Sequence, residues 1–219
     1  TARRFLRKRS NLFLTNFNLM HIQELFSLKN KCAVVVGGAG KIGFPVSEAL
    51  AEAGANVCIV STNEENFTAA VAKLRAQGLA AEGFLMDQAD EASVVACLEK
   101  IKTKFKIPDI LVNCGVERPM KKFFEDTVEN WDRSMAVNAR GLFITCRAFG
   151  KAMQEQGSGS IINVSSIYGL VAPDQQTYEG TDMQTEPDYP YTKGGMIMFS
   201  KYLASLFAKD KIRVNCVAP

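Results

Sequence analysis

Histidine is nearly missing: the chain of 219 residues holds one, His21. A Ser-His-Asp hydrolase, a Cys-His protease and a multi-histidine metal centre all need imidazole in the site, so a single copy near one end nearly excludes all three. The six cysteines form no C-x-x-C pair and no metal-ligand spacing. Cys32, Cys58, Cys97, Cys114, Cys146 and Cys216 each lie in an apolar run, and they read as reduced core residues of an intracellular, cytoplasmic protein. No apolar run approaches the roughly 20 residues a membrane span needs. Sixteen glycines and seven prolines are too few for a collagen-like or low-complexity chain, and 47% hydrophobic residues exclude disorder. At about 150 residues per domain, the length fits one full α/β domain with tails.

Acid is missing from residues 1–19, where Arg3, Arg4, Arg7, Lys8 and Arg9 stand together. Since the whole chain carries only +3, the remainder is mildly acidic, with no basic stripe for a nucleic acid. A basic tail is expected over 1–24 and a folded domain over 25–219. A transit peptide and translated sequence ahead of Met20 both fit the tail.

What is present is an alternation of two periodicities. Short apolar runs at 31–36, 56–60, 80–86, 109–113, 160–165 and 212–217 read as buried parallel strands. Between them, helical spacing covers 42–53, 64–77, 91–105, one long stretch at 129–155, and 189–209. Strands and helices of this length imply right-handed βαβ units and a parallel sheet covered on both faces. Residues 167–188 show no element; a loop that long in a compact domain is usually functional or mobile.

The first strand runs into Gly37-Gly38-Ala39-Gly40-Lys41-Ile42-Gly43. Glycines there allow a tight turn, close approach of a pyrophosphate to the backbone, and packing of helix on strand. The helix N-terminus adds free N–H groups and a positive dipole end. The end of the second strand reads the ribose of a dinucleotide: an acid bonds the 2′-hydroxyl of NAD, an Arg accommodates the 2′-phosphate of NADP. Ser61, Thr62 and Asn63 satisfy neither rule. With no acid to repel a phosphate and Lys41 nearby, NADP is slightly preferred over NAD. Asp87, after the third strand, is placed to bond an adenine ring or to cap the next helix.

Tyr189 and Lys193 are four residues apart and share a helix face. A lysine ammonium beside a phenol favours the phenolate, which makes an acid for carbonyl reduction or a base for alcohol oxidation. Tyr191 has Gly195 at the matching position and is a decoy. Ser165 and Ser166 end the fifth strand, at the carboxyl edge where open α/β sheets bind ligands. Asn138 is a polar residue in an apolar helical stretch: a site residue or a satisfied buried amide.

In their order and spacing these motifs resemble a short-chain dehydrogenase/reductase, from about Leu25 to Pro219. The likeness rests on the glycine turn, Asp87, Asn113-Cys114-Gly115, Asn138, NVSSIYG at 163–169, Tyr189 to Lys193, and RVNCVAP at 213–219. It implies a Rossmann-type doubly wound parallel β-sheet with helices on both faces. Its catalytic residues would be Asn138, Ser166, Tyr189 and Lys193. Tyr189 would move the proton, Ser166 would orient the substrate, and Asn138 would belong to a proton relay. Lys193 would bind the nicotinamide ribose. Gly37, Gly38, Gly40, Lys41, Ile42, Gly43, Ser61, Asp87 and Asn113 would complete the cofactor site, with no metal. The partners implied are a small alcohol or ketone and a second copy of the chain, in a homodimer or homotetramer through the helices at 129–155 and 189–209.

Departures from the pattern are Val36 in place of Thr, Lys41 in place of the middle glycine, and an Asn-Cys-Gly one residue shorter than the usual Asn-Asn-Ala-Gly. The chain between Ser166 and Tyr189 is longer than usual. It carries Asp174, Glu179, Asp182, Glu186 and Asp188, which fit either a polar substrate such as a polyol or a solvated loop. The family continues beyond the position of Pro219 with a substrate lid and a final strand, so the resemblance implies a domain cut short there. A nucleotide-sugar epimerase or dehydratase shares the glycine spacing at 37, 40 and 43 but carries a larger substrate domain. A non-catalytic NAD(P)-binding regulator would not need an intact Ser, Tyr and Lys set.

Overall fold

Five consecutive apolar residues, Cys32–Val36, form strand β1, and all five are buried. A strand covered on both faces has no polar side to alternate with, which is why the run reads as continuous. The computed structural model describes residues 21–181 and 184–219; residues 1–20 of the basic tail expected over 1–24, and Asp182, lie outside them. Strands β2 (Asn56–Ser61), β3 (Ala81–Leu85), β4 (Ile110–Asn113), β5 (Gly159–Val164) and β6 (Ile212–Val217) join β1 in one sheet of order β3-β2-β1-β4-β5-β6. All five pairings are parallel, with Val34 opposite Cys58 on one side and Leu111 on the other. This is the doubly wound order, and the chain reverses direction across the sheet between β1 and β4.

Helices α1 (Gly43–Glu52) and α2 (Glu64–Ala76) cover one face; α3 (Glu91–Lys104), α5 (Leu142–Gln156) and α6 (Asp188–Phe207) cover the other. Alternate residues of β1 feed the two cores. Ala33 and Val35 pack with Val57, Ile59, Phe67 and Leu74, while Val34 and Val36 pack with Leu111, Ile101, Phe149 and Ile161. Helix starts are set locally. Asn63 accepts from Asn66 N, with Glu64 and Glu65 in the first turn, and Asp90 accepts from Ala92 N. Asp90, not Asp87, therefore caps α3.

Two sequence expectations change. The stretch expected as one helix at 129–155 is α4 (Val128–Met135), a π-turn (Ala136–Gly141) and α5. The widened turn lets the Val137 carbonyl accept from Gln88 Nε2 at 2.8 Å, and a Cβ on Gly141 would meet Gln88 O at 2.9 Å. The region 167–188, expected to lack elements, contains 3₁₀ turns at Ile167–Gly169 and Gln175–Tyr178. Tyr178 ties them together: its hydroxyl lies 2.7 Å from that of Tyr168 and 3.1 Å from Thr185 Oγ1. Aromatic hydroxyls far from one another in sequence leave no periodic signal.

Candidate active site

The glycine turn is closed by backbone contact. Gly37 has φ +71°, and a Cβ there would come within 2.8 Å of Gly115 Cα. A Cβ on Gly43 would lie 2.1 Å from Gly37 O. Ser47 Oγ donates to Gly43 O at 2.9 Å and Gly38 O at 3.2 Å, pinning the turn to α1. Ile42 stands at the N-cap of α1 and makes no side-chain cap bond; Phe44 N donates to Gly40 O at 2.8 Å and Pro45 has no N–H, so this end offers an anion the N–H of Gly43 and the positive end of the helix dipole. The shortened Asn-Cys-Gly segment still seats the turn, with Cys114 N donating to Val36 O at 3.0 Å.

A cleft of about 1030 Å³ opens above this turn, between the carboxyl ends of β1 and β4. Of the expected cofactor residues, Gly37, Gly40, Lys41, Ile42, Gly43, Ser61, Asp87 and Tyr189 line it. Gly38 does not; it packs under the turn, where a Cβ would strike Val35 O at 2.8 Å. Asn113 does not line the cleft either. Its side chain is buried and turned inward, donating to Asn163 Oδ1 at 2.8 Å, and Asn163 Nδ2 donates to Ser200 Oγ at 2.8 Å. The pleat sends this residue to the α6 side and leaves Cys114 and Gly115 at the cleft. Gln88, Arg118 and Arg133 also line the cleft and were not singled out from the sequence. Gln88 directly follows Asp87, but lone polar residues in loops carry no spacing signal.

Cysteines divide more finely than expected. Cys32, Cys58, Cys97 and Cys146 are buried, whereas Cys114 and Cys216 are half-buried, and Cys114 is in the cleft wall. Burial pushes the Cys114 thiol up to about 11, so it is protonated and unreactive at neutral pH.

Lys193 is 4% exposed beneath the cleft. Its Nζ donates to Val164 O at 2.7 Å, at the end of β5, and stands 5.6 Å from the Tyr189 ring centroid. Burial lowers its pKa from 10.5 to about 8, against a small opposing pull from Cys114 and Cys216. Tyr191 is 65% exposed and packs on Trp131 at 5.3 Å, outside the site. Ser165 Oγ donates to Lys193 O at 2.8 Å, so it fastens β5 to α6. Ser166 Oγ accepts from Tyr168 N at 3.2 Å and keeps its own proton to donate.

Asn138 lies in the π-turn, 4% exposed. Its amide accepts from Glu117 N at 2.9 Å and donates to Glu117 O at 2.7 Å and Ser134 Oγ at 3.0 Å. Ser134 in turn donates to buried Asp188 at 2.6 Å, one residue before Tyr189. The side chain therefore ties the loop after β4 to the start of α6, and both of its amide N–H groups are spent in doing so.

A family model for the short chain dehydrogenases matches residues 31–219. The chain belongs to the short-chain dehydrogenase/reductase family. Its members are oxidoreductases acting on CH–OH groups with NAD or NADP. The protein is 35% identical over 194 residues to a D-threitol dehydrogenase of Mycolicibacterium smegmatis, covering 89% of this chain and 71% of that one. It is 34% identical over 193 residues to a probable galactose dehydrogenase of Rhizobium meliloti, covering 88% and 72%. Among solved structures, this dehydrogenase/reductase superposes on a gluconate 5-dehydrogenase from Burkholderia cenocepacia J2315 in complex with NADP and tartrate. The TM-score is 0.80 at 29% identity, over 91% of this chain and 74% of that one. An NAD⁺-bound xylitol dehydrogenase gives 0.78 at 26% identity, over 87% and 70%.

Proposed function

We propose that this protein is an NAD(P)-dependent oxidoreductase in which Tyr189 is the general acid and base for interconversion of an alcohol and a carbonyl. The observation that carries the reading is the placing of Tyr189 in the wall of the dinucleotide cleft with Lys193 buried beside it. The glycine cradle and the positive end of α1 fit a pyrophosphate, with Lys41 beside it. A bound nicotinamide supplies the hydride acceptor or donor. Tyr189 moves the proton at the substrate oxygen, Ser166 donates a hydrogen bond to that oxygen, and Lys193 holds the nicotinamide ribose. Asn138 acts through the backbone loop it holds.

The wall at the end of β2 consists of Ser61, Thr62 and Asn66, with no carboxylate, and Lys41 is the nearby cation; this supports NADP over NAD. Six unpaired cysteines support a cytoplasmic location. Exposed Phe143 and Tyr202, with half-buried Phe199 between them and successive ring centroids 6.4 Å apart, support self-association through α5 and α6, which sedimentation will test. Tyr189→Phe is expected to abolish turnover of polyol and ketone panels while NADPH still binds, more tightly than NADH, in fluorescence titrations. Undiminished turnover in that variant would falsify the assignment. The epimerase alternative predicts nicotinamide retained through turnover without net reduction.

A further inference from the structure

Three of the six described arginines are ion-paired, and Arg118, like Arg140 and Arg213, is not. Arg75, Arg133 and Arg147 hold Glu82, Glu117 and Glu91, respectively. Arg118 forms no ion pair among the described residues; its guanidinium carbon lies 4.5 Å from the centroid of the Tyr189 ring. Its base is fixed, because the Asn138 amide clamps both backbone groups of Glu117 and Met120 is buried. Its tip is exposed.

Arg118 borders two spaces: the dinucleotide cleft and an adjoining cavity of about 370 Å³. Lys121, Tyr178, Thr185 and Glu186 help wall that cavity. Lys121 is a second cation there without an ion pair among the described residues; its Nζ reaches back to Arg118 O at 3.5 Å. Glu186 is the one carboxyl in the described wall; burial with Asp126 and Asp188 nearby makes it hold its proton more strongly, against an opposing pull from Gln184 and from Arg118 itself, which is near enough to act on it without forming an ion pair. The wall thus presents two cations against one carboxyl, beside the ring proposed to do the chemistry.

We propose that Arg118 determines specificity by binding an anionic oxygen group of the substrate, a carboxylate or a phosphate, a few bonds from the carbon whose oxygen meets Tyr189. This rests on the oxidoreductase reading above. The planar fork of a guanidinium pairs with either group through two parallel N–H···O bonds, and its contact with the Tyr189 ring holds it over the reacting end before substrate arrives. Such a pair aligns the substrate as well as holding it, so its loss affects both KM and kcat.

The test compares three compounds of matched carbon skeleton: an alditol, the corresponding aldonate and the alditol phosphate. Each is assayed with NADP⁺ and NAD⁺ on wild type, Arg118→Gln and Arg118→Lys of the full chain. In wild type, kcat/KM for one anionic compound should exceed that for the alditol by about 10-fold, the scale of a charge-assisted pair that keeps contact with solvent. Whether aldonate or phosphate gives the excess assigns the group. In Arg118→Gln the anionic-to-neutral ratio should fall to near one, and Arg118→Lys should restore part of it. A wild type that prefers the alditol, or an Arg118→Gln variant that lowers all three compounds equally, overturns the proposal. Tyr189→Phe in the same assay separates the two ideas. Alditol turnover that needs Tyr189 leaves the oxidoreductase reading standing without the anion site. Turnover indifferent to Tyr189, or none with any compound, removes both.

Discussion

Ser165 and Ser166 are adjacent, both buried, and engaged in opposite senses. Ser165 spends its proton on Lys193 O, whereas Ser166 only accepts, from Tyr168 N. Ser165→Ala is therefore expected to lower stability by about 1 kcal/mol with turnover kept within a few-fold. Ser166→Ala should also cost about 1 kcal/mol, through the lost bond from Tyr168 N, but cut kcat by about 100-fold or more, the size seen when one hydrogen-bond donor to a developing oxyanion is lost. Thermal melts and steady-state kinetics on the two variants check this, and a reversed pattern would exchange the roles. The sequence shows both serines at the end of a strand. It does not show which is used up by the neighbouring helix, because that depends on how α6 docks.

Among the elements, the glycine turn is the one most tightly specified by its own residues. Gly43→Ala places a methyl 2.1 Å from a backbone oxygen, and no side chain can move aside to relieve it. Nucleotide binding should fall by at least 10-fold, read by NADPH fluorescence, with a lower melting temperature. Gly195 is the contrast: it lies within α6, is exposed, and a Cβ there meets nothing within 4 Å. Gly195→Ala should stabilise by about 0.5–1 kcal/mol, since a helical glycine carries that entropic cost. The π-turn is the element the sequence did not disclose. The run AVNARG satisfies helical periodicity as well as its neighbours do, and the widening follows from Gln88 reaching across from the β3–α3 loop.

For the whole molecule, Lys193 links the site to stability. The unfolded chain keeps this proton up to about 10.5, and the folded protein releases it near 8. Between those values the unfolded state binds more protons, so stability rises with pH across pH 8 to 10.5. Below pH 8 the buried ammonium costs about 3 kcal/mol, from a shift worth 1.36 kcal/mol per pKa unit. Urea titrations of wild type and Lys193→Met should show this slope in wild type alone, which cancels the contribution of all other groups. An equal slope in both would mean that Lys193 is not desolvated. The protein thus carries a destabilising charge at working pH, which is common where a site needs a perturbed group.

The sequence by itself determined the sheet, the order of its elements, the glycine turn and the Tyr189–Lys193 face. Each is encoded in a few neighbouring residues: continuous apolar runs for strands buried on both faces, helical spacing between them, and glycines where backbone must touch backbone. Only the tertiary structure decided which polar groups remain free. Asn113 is spent on Asn163, Asn138 on Glu117 and Ser134, and Ser165 on the carbonyl of Lys193. Arg118 is left without an ion pair among the described residues, against the Tyr189 ring. Local pattern reports burial and period, but a side chain's availability depends on its partners, and here they come from elements brought together only when the sheet closes.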